Sequence, residues 1–258
     1  MQEVPRQPSN ATIMMPSSRI LIPLDVDSAD RAVTLAAALS GDVAGMKVGL
    51  ELINSAGFAV FDRLAAEIPG RCDVFYDCKL HDIPNTVQGA SRAIGRRGLW
   101  MFNVHAAGGS AMLRAAVDGA AQGAESAGLE RKPLVIAVTV LTSISADILA
   151  GELGVARSVE QQVVALARLA QDAGCDGVVA SPQEIAAIRA ACGPSFLIVT
   201  PGVRPAGSDL GDQRRVMTPA DAARAGADYL VIGRPITGSP DPVAAARAIN
   251  AETASARR

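Results

Sequence analysis

The chain has 258 residues, 49% of them hydrophobic, which is enough for a sizeable core and excludes a disordered chain. Its 24 basic and 26 acidic residues nearly cancel and aromatics make up 3%, so the charge footprint and the stacking platforms of a nucleic-acid binder are both missing. Two histidines argue against an imidazole-built zinc site, and no apolar run reaches the ~18 residues of a membrane span.

In chain order, residues 1–17 are broken by Pro5, Pro8 and Pro16 and are expected to be a mobile extension, ahead of a single domain over residues 18–258. From Arg19 onward apolar strand-like runs alternate with helical patterns. A strand over 20–24 ends at Asp25, and Ser28 can cap a helix to about residue 39. A second strand over 45–49 contains Lys47, and one helix is expected over 51–68. Val74-Phe75-Tyr76 reads as a third strand running into Asp77, followed by a helix from Pro84 to about 97 that Gly98 can stop.

A fourth strand over 99–104 leads to His105 and a small-residue turn at 106–110. An alanine-rich helix to about 127 and a fifth strand over 134–140 come next. Ser158 and Gln161 fit a capping box, and Val159, Val163, Leu166 and Ala170 recur at helical spacing before Gly174. A sixth strand over 177–180, a helix start at Ser181-Pro182-Gln183-Glu184 and a seventh strand over 196–199 follow. A long irregular segment occupies 201–217, Thr218-Pro219 opens a further helix, the eighth strand covers 229–232, and a last helix covers 242–251.

Eight strands and eight helices in strict alternation result. Strands apolar throughout must be buried on both faces, so the fold class is α/β, a parallel eight-stranded (β/α)8 TIM barrel. The rival, a doubly wound open sheet, lacks a G-x-G-x-x-G after the first strand. The four cysteines, Cys72, Cys78, Cys175 and Cys192, show no C-x-x-C spacing and read as reduced thiols of a cytoplasmic protein.

In such a barrel the reactive groups sit at the carboxyl ends of the strands. There the sequence places Asp25, Lys47, Asp77, Lys79, Asp82, Thr142-Ser143, Arg204, Gln213 and Gly233-Arg234. Two acids and a lysine in D-C-K-L-H-D suit proton transfer, although D-x-K-x-x-D alone also fits a surface salt-bridge cluster. Lys47 is harder to dismiss, because an ammonium inside an apolar strand needs a partner. Gly233-Arg234 suits an anion anchor, with backbone N–H groups and a planar guanidinium for phosphate oxygens. Gly202, Gly207 and Gly211 give the seventh loop the pliability of a lid.

Together these motifs resemble the orotidine 5′-phosphate decarboxylase family. The matching pieces are L-D-V-D around Asp25, K-V-G at Lys47, D-C-K-L-H-D-I-P-N-T at 77–86 and N-V-H-A-A-G-G at 103–109. V-T-V-L-T-S at 138–143, T-P-G-V-R at 200–204, G-D-Q-R-R at 211–215 and V-I-G-R-P-I at 231–236 continue it, in order, over about residues 19 to 250. Cys78 departs from the pattern, where a larger apolar residue is expected, and should point away from Asp77 and Lys79.

The resemblance implies conversion of orotidine 5′-phosphate to uridine 5′-phosphate and carbon dioxide without metal or organic cofactor. By it Lys47, Asp77, Lys79 and Asp82 form an alternating charged network, and Lys79 protonates C6 of the pyrimidine. It implies a homodimer in which Asp82, Ile83 and Thr86 reach the neighbouring subunit's site. Asp25 is expected at the ribose, Thr142 at the base, and Arg204, Gln213, Gly233 and Arg234 at the phosphate and lid. No nucleic-acid or membrane partner is expected. His81 and His105 read as supporting hydrogen-bonding groups. A metal-dependent phosphosugar decarboxylase or aldolase, and a catalytically silent nucleotide-binding barrel, are the alternatives.

Overall fold

Strands that are apolar throughout can be satisfied only between two buried layers, and a closed barrel ringed by helices supplies both. A computed structural model describes residues 18–68, 70, 73–205 and 217–256. In it β1 (Ile20–Pro23), β2 (Gly45–Val48), β3 (Asp73–Leu80), β4 (Met101–His105), β5 (Leu134–Val138), β6 (Gly177–Val179), β7 (Leu197–Thr200) and β8 (Tyr229–Val231) pair in parallel, each with the next. β8 returns to β1, with Leu21 opposite Val231, and closes the barrel.

Alternate strand residues serve the two layers. Leu21, Phe75, Met101, Ile136, Leu197, Val199 and Tyr229 cluster inside the barrel. Ile20, Ile22, Met46, Val48, Tyr76, Phe102 and Val104 belong to the larger core beneath the helices. By the same alternation Lys47, between Met46 and Val48, turns inward, as do Asp77 beyond Phe75 and Asn103 beyond Met101.

Most helix starts follow the local chemistry read from the sequence. α1 (Ala29–Leu39) begins at Ser28, whose hydroxyl accepts from the Arg31 N–H. The single helix expected over 51–68 is two, α2 (Leu50–Ala56) and α3 (Ala59–Glu67). Gly57 between them takes φ +72°, a left-handed step that ends one helix and redirects the chain into the next. α4 (Pro84–Gly95) has Pro84 in its first turn, and a 3₁₀ turn (Ala106–Gly108) leads into α5 (Gly109–Ser126). α6 (Val159–Asp172) carries the expected capping box, with Ser158 and Gln161 each accepting from the other's backbone N–H.

Ser181 opens a 3₁₀ turn (Pro182–Glu184) ahead of α7 (Ile185–Cys192), and Thr218 caps α8 (Pro219–Ala225). A single turn, α9 (Arg234–Thr237), follows β8 before α10 (Pro242–Ser255), and a π-type turn (Ile148–Glu152) lies between β5 and α6. Strict one-to-one alternation therefore fails twice, at the Gly57 break and at the extra turn after Gly233. The expected extension over 1–17 and most of the expected irregular loop, 206–216, lie outside the described residues. No helix among the described residues is long and apolar enough to cross a membrane.

Candidate active site

The inward-turned charges meet at the carboxyl ends of β1 to β4. Lys47 is only 9% exposed, so its ammonium requires partners, and it has two. Its Nζ lies 3.3 Å from Asp25 Oδ1 and 3.2 Å from Asp77 Oδ2. The other Asp77 oxygen, Oδ1, accepts from Lys79 Nζ at 2.6 Å and from Asn103 Nδ2 at 2.7 Å. Acid and lysine thus alternate along Asp25, Lys47, Asp77 and Lys79. Gly49 leaves room for the array, since a Cβ there would sit 2.9 Å from Lys47 Nζ.

The end of β3 departs from regular strand geometry. Lys79 has φ +50°, the one positive value for a non-glycine among the described residues, and the β3–β4 register shifts between Tyr76 and Leu80. A left-handed step costs a side-chain-bearing residue about 1–2 kcal/mol, so something must hold it. Asn103 does so in part: its Oδ1 accepts the Lys79 backbone N–H at 2.7 Å. Asp77 reaches the site by strand alternation, and Lys79, two residues on, joins it at the left-handed step.

Cys78, between them, faces the other way. Its Sγ donates to the Asn103 carbonyl at 3.2 Å within the helix-side core, and burial pushes its thiol up to about 12. That leaves it protonated and unreactive at neutral pH. Cys175 and Cys192 are likewise buried free thiols, and Cys72 lies outside the described residues.

Burial alone would raise the Asp77 carboxyl. The Lys47 and Lys79 ammoniums, with hydrogen bonds from Lys79 and Asn103, outweigh it and hold the group below its ordinary 3.8. Asp77 is therefore a carboxylate at neutral pH. His105 and His81 lie ring to ring, centroids 5.3 Å apart. Burial, helped by the charges of His81 and Lys79 and opposed by Asp77, lowers His105 below 6.5.

Two adjoining cavities use these residues. The inner one, about 190 Å³, has Lys47, Asp77, Lys79 and Thr142 on a wall otherwise made of apolar groups such as Val138, Val179 and Val199. The outer one, about 550 Å³, is lined by Asp25, Lys47, Gly202, Arg204, Gly233 and Arg234 among others. Lys47, Pro201 and Val231 belong to both, so the two form one bent cleft with an apolar-walled inner end and an arginine-bearing outer end.

Asp82, Ile83 and Thr86 stand apart on the exposed rim. Asp82 Oδ1 accepts from the Ile83 N–H at 2.6 Å, and within one chain Asp82 makes no ion pair among the described residues. Ile83 is 67% exposed. Gln213 lies outside the described residues. Asn103, inside the N-V-H-A-A-G-G match, joins the site with no role that the sequence assigns it. Among the described residues no three His, Cys, Asp or Glu side chains gather as metal ligands.

The chain is similar to known proteins over most of its length. Residues 18–249 match the model of the orotidine 5′-phosphate decarboxylase / HUMPS family. A protein of Moorella thermoacetica named orotidine 5′-phosphate decarboxylase is 59% identical over 240 residues, 93% of each chain. One of the same name from Heliobacterium modesticaldum is 53% identical over 245 residues, 93% of this chain and 98% of its own length. Among solved structures, orotidine 5′-phosphate decarboxylase from Lactobacillus acidophilus superposes with a TM-score of 0.79 at 36% identity, over 92% of this chain and 99% of the other.

Proposed function

The chain belongs to the orotidine 5′-phosphate decarboxylase / HUMPS family, and from that premise we infer how the residues of its barrel mouth divide the work. The reaction is loss of carbon dioxide from orotidine 5′-phosphate to give uridine 5′-phosphate, the final step of de novo UMP synthesis. The C6–carboxylate bond breaks heterolytically, the electron pair stays on C6, and the Lys79 ammonium supplies the proton that forms the C6–H bond. The observation that carries this reading is the Lys79 ammonium, held 2.6 Å from the Asp77 carboxylate on the wall of the inner cavity. A fixed cation beside developing negative charge stabilises it without reorganisation.

Asp77 faces the departing carboxylate. Two unit charges about 4 Å apart at an effective dielectric near 20 repel by roughly 4 kcal/mol. Enzymes lower barriers by about 8–23 kcal/mol, so repulsion is a minor part of the effect. The rest comes from the preset Lys47–Asp77–Lys79 charges and from binding energy at the far end of the nucleotide. Arg204, Gln213, Gly233 and Arg234 take the phosphate, Asp25 the ribose and Thr142 the base. The placing of Arg204 and Arg234 at the outer end of the cleft supports this order.

The functional unit is a homodimer in which Asp82, Ile83 and Thr86 complete the neighbouring site. Their exposure on the rim, and the absence of an ion pair to Asp82 within its own chain among the described residues, support that assignment. No metal or organic cofactor takes part, and the buried free thiols suit a reducing cytoplasm. Purified protein should release carbon dioxide from orotidylate at an undiminished rate in EDTA, and Lys79→Ala should abolish that release. Loss of activity in EDTA, or an active Lys79→Ala variant, contradicts the reading.

A further inference from the structure

We propose that Asn103 is a positioning residue that locks Lys79 and Asp77 into their reactive geometry. This rests on the reading of Lys79 as proton donor. Asn103 is fully buried on β4 and touches three consecutive residues of β3. Its Oδ1 accepts the Lys79 N–H at 2.7 Å, its Nδ2 donates to Asp77 Oδ1 at 2.7 Å, and its backbone carbonyl accepts from Cys78 Sγ at 3.2 Å. The chemistry fixes the amide orientation: one end faces a donor, the other a carboxylate, and a flip would break both bonds.

Each bond does a separate job. The first satisfies a backbone N–H that the left-handed Lys79 takes out of the regular β3–β4 ladder. The second sets the direction of the same Asp77 oxygen that holds the Lys79 ammonium. Asn103 therefore fixes both the backbone and the tip of Lys79, the latter through Asp77. No other side chain of this size offers an acceptor and a donor at this spacing at neutral pH. An ionised Asp loses the donor, Leu loses both, and Gln is longer by a methylene.

The test compares Asn103→Ala, Asn103→Asp and Lys79→Ala for kcat and KM on orotidylate across pH, with melting temperature and UMP affinity alongside. The charged and titratable groups facing position 103 are Asp77, Cys78 and Lys79 on β3, Lys47 through Asp77, and His105 with His81. Asn103→Ala should lose about 10²-fold in kcat, the order expected of a 1 Å misplacement, with KM and UMP affinity little changed. Asn103→Asp keeps the acceptor for Lys79 N–H but sets a second carboxyl against Asp77. Two such groups do not both ionise readily. A protonated carboxyl at 103 can still donate, so this variant should be most active at acid pH and lose kcat as pH rises. Neither wild type nor Asn103→Ala should show that added slope.

The proposal is overturned if Asn103→Ala retains wild-type kcat, or if the Asn103→Asp profile merely parallels that of Asn103→Ala. It is also overturned if both variants lose fold and UMP binding together, which would make the role structural only. An active Lys79→Ala would instead remove the proton-donor reading itself, so the two failures are distinguishable.

Discussion

Asp77 has to satisfy two ammoniums and an amide while remaining available to a ligand. It can do so because its two oxygens divide the task, Oδ2 toward Lys47 and Oδ1 toward Lys79 and Asn103. Lys47 was legible in the sequence because a lysine inside an apolar run has no inexpensive solution except pairing. Asn103 was not, because an uncharged amide next to Val104 looks like any polar strand residue until the kink at Lys79 is known. The neighbouring His105 offers a pH test at this scale. Its folded pKa is lowered, by burial first and then by His81 and Lys79, so the unfolded chain takes up this proton more readily. The stability tied to neutral His105 is therefore complete above 6.5 and lost as pH falls from 6.5 toward the folded value. A denaturant midpoint followed over about pH 5–7.5 should fall on the acid side in wild type and fall less in His105→Gln. Identical curves would assign that acid sensitivity to other groups.

At the scale of elements, the seat of α4 sets where the rim residues stand, because the helix begins directly after Asp82 and Ile83 and carries Thr86. α4 and α5 touch at their backbones, which only glycines permit. A Cβ on Gly123 would run into the Arg92 carbonyl and lie 3.0 Å from Gly95 Cα, and Cβ atoms on Gly95 and Gly119 would meet the Ala120 and Gln88 carbonyls. Gly123→Ala should therefore push the helices apart. Overpacking of this kind costs about 1–3 kcal/mol, and each kcal/mol lowers Tm by roughly 2–4 °C in a chain of this size. Calorimetry of the variant checks it, and an unchanged Tm would mean the helices separate freely. Caps and strand cores were readable from the sequence because their causes are local: Ser28, Ser158 and Thr218 each bond within three residues. The break at Gly57 has no sequence signature, because apolar residues continue at helical spacing on both sides of it. α9 has none either, because its four residues are too few to show a period.

Across the whole molecule, the counting of alternating runs reached the closed barrel, since eight doubly buried parallel strands have few other ways to hide both faces. The two ends of that barrel do different work. At the amino end Arg189 pairs with Asp228 and bonds the Gly226 carbonyl, tying α7 to the β8 entrance, whereas the carboxyl end holds the Asp25–Lys47–Asp77–Lys79 array and the exposed Asp82 and Ile83. What one chain cannot display in its sequence is which of those rim groups belongs to a neighbour, because no local pattern distinguishes a carboxylate acting in its own chain from one acting across an interface. The proposed dimer makes that distinction measurable. Lys79→Ala removes the proton donor from a subunit's own site, while Asp82→Asn removes a group lent to the partner, so each homodimer should be inactive. In a two-fold dimer formed after mixing and exchange, the mixed species has one site carrying both defects and one carrying neither. Random pairing makes about half of the dimers mixed, so the blend should recover roughly a quarter of wild-type activity. Recovery should depend on subunit exchange and vanish when the dimers are cross-linked before mixing. If Asp82 served its own chain, every site in the blend would carry one defect and activity would stay at the level of the separate variants.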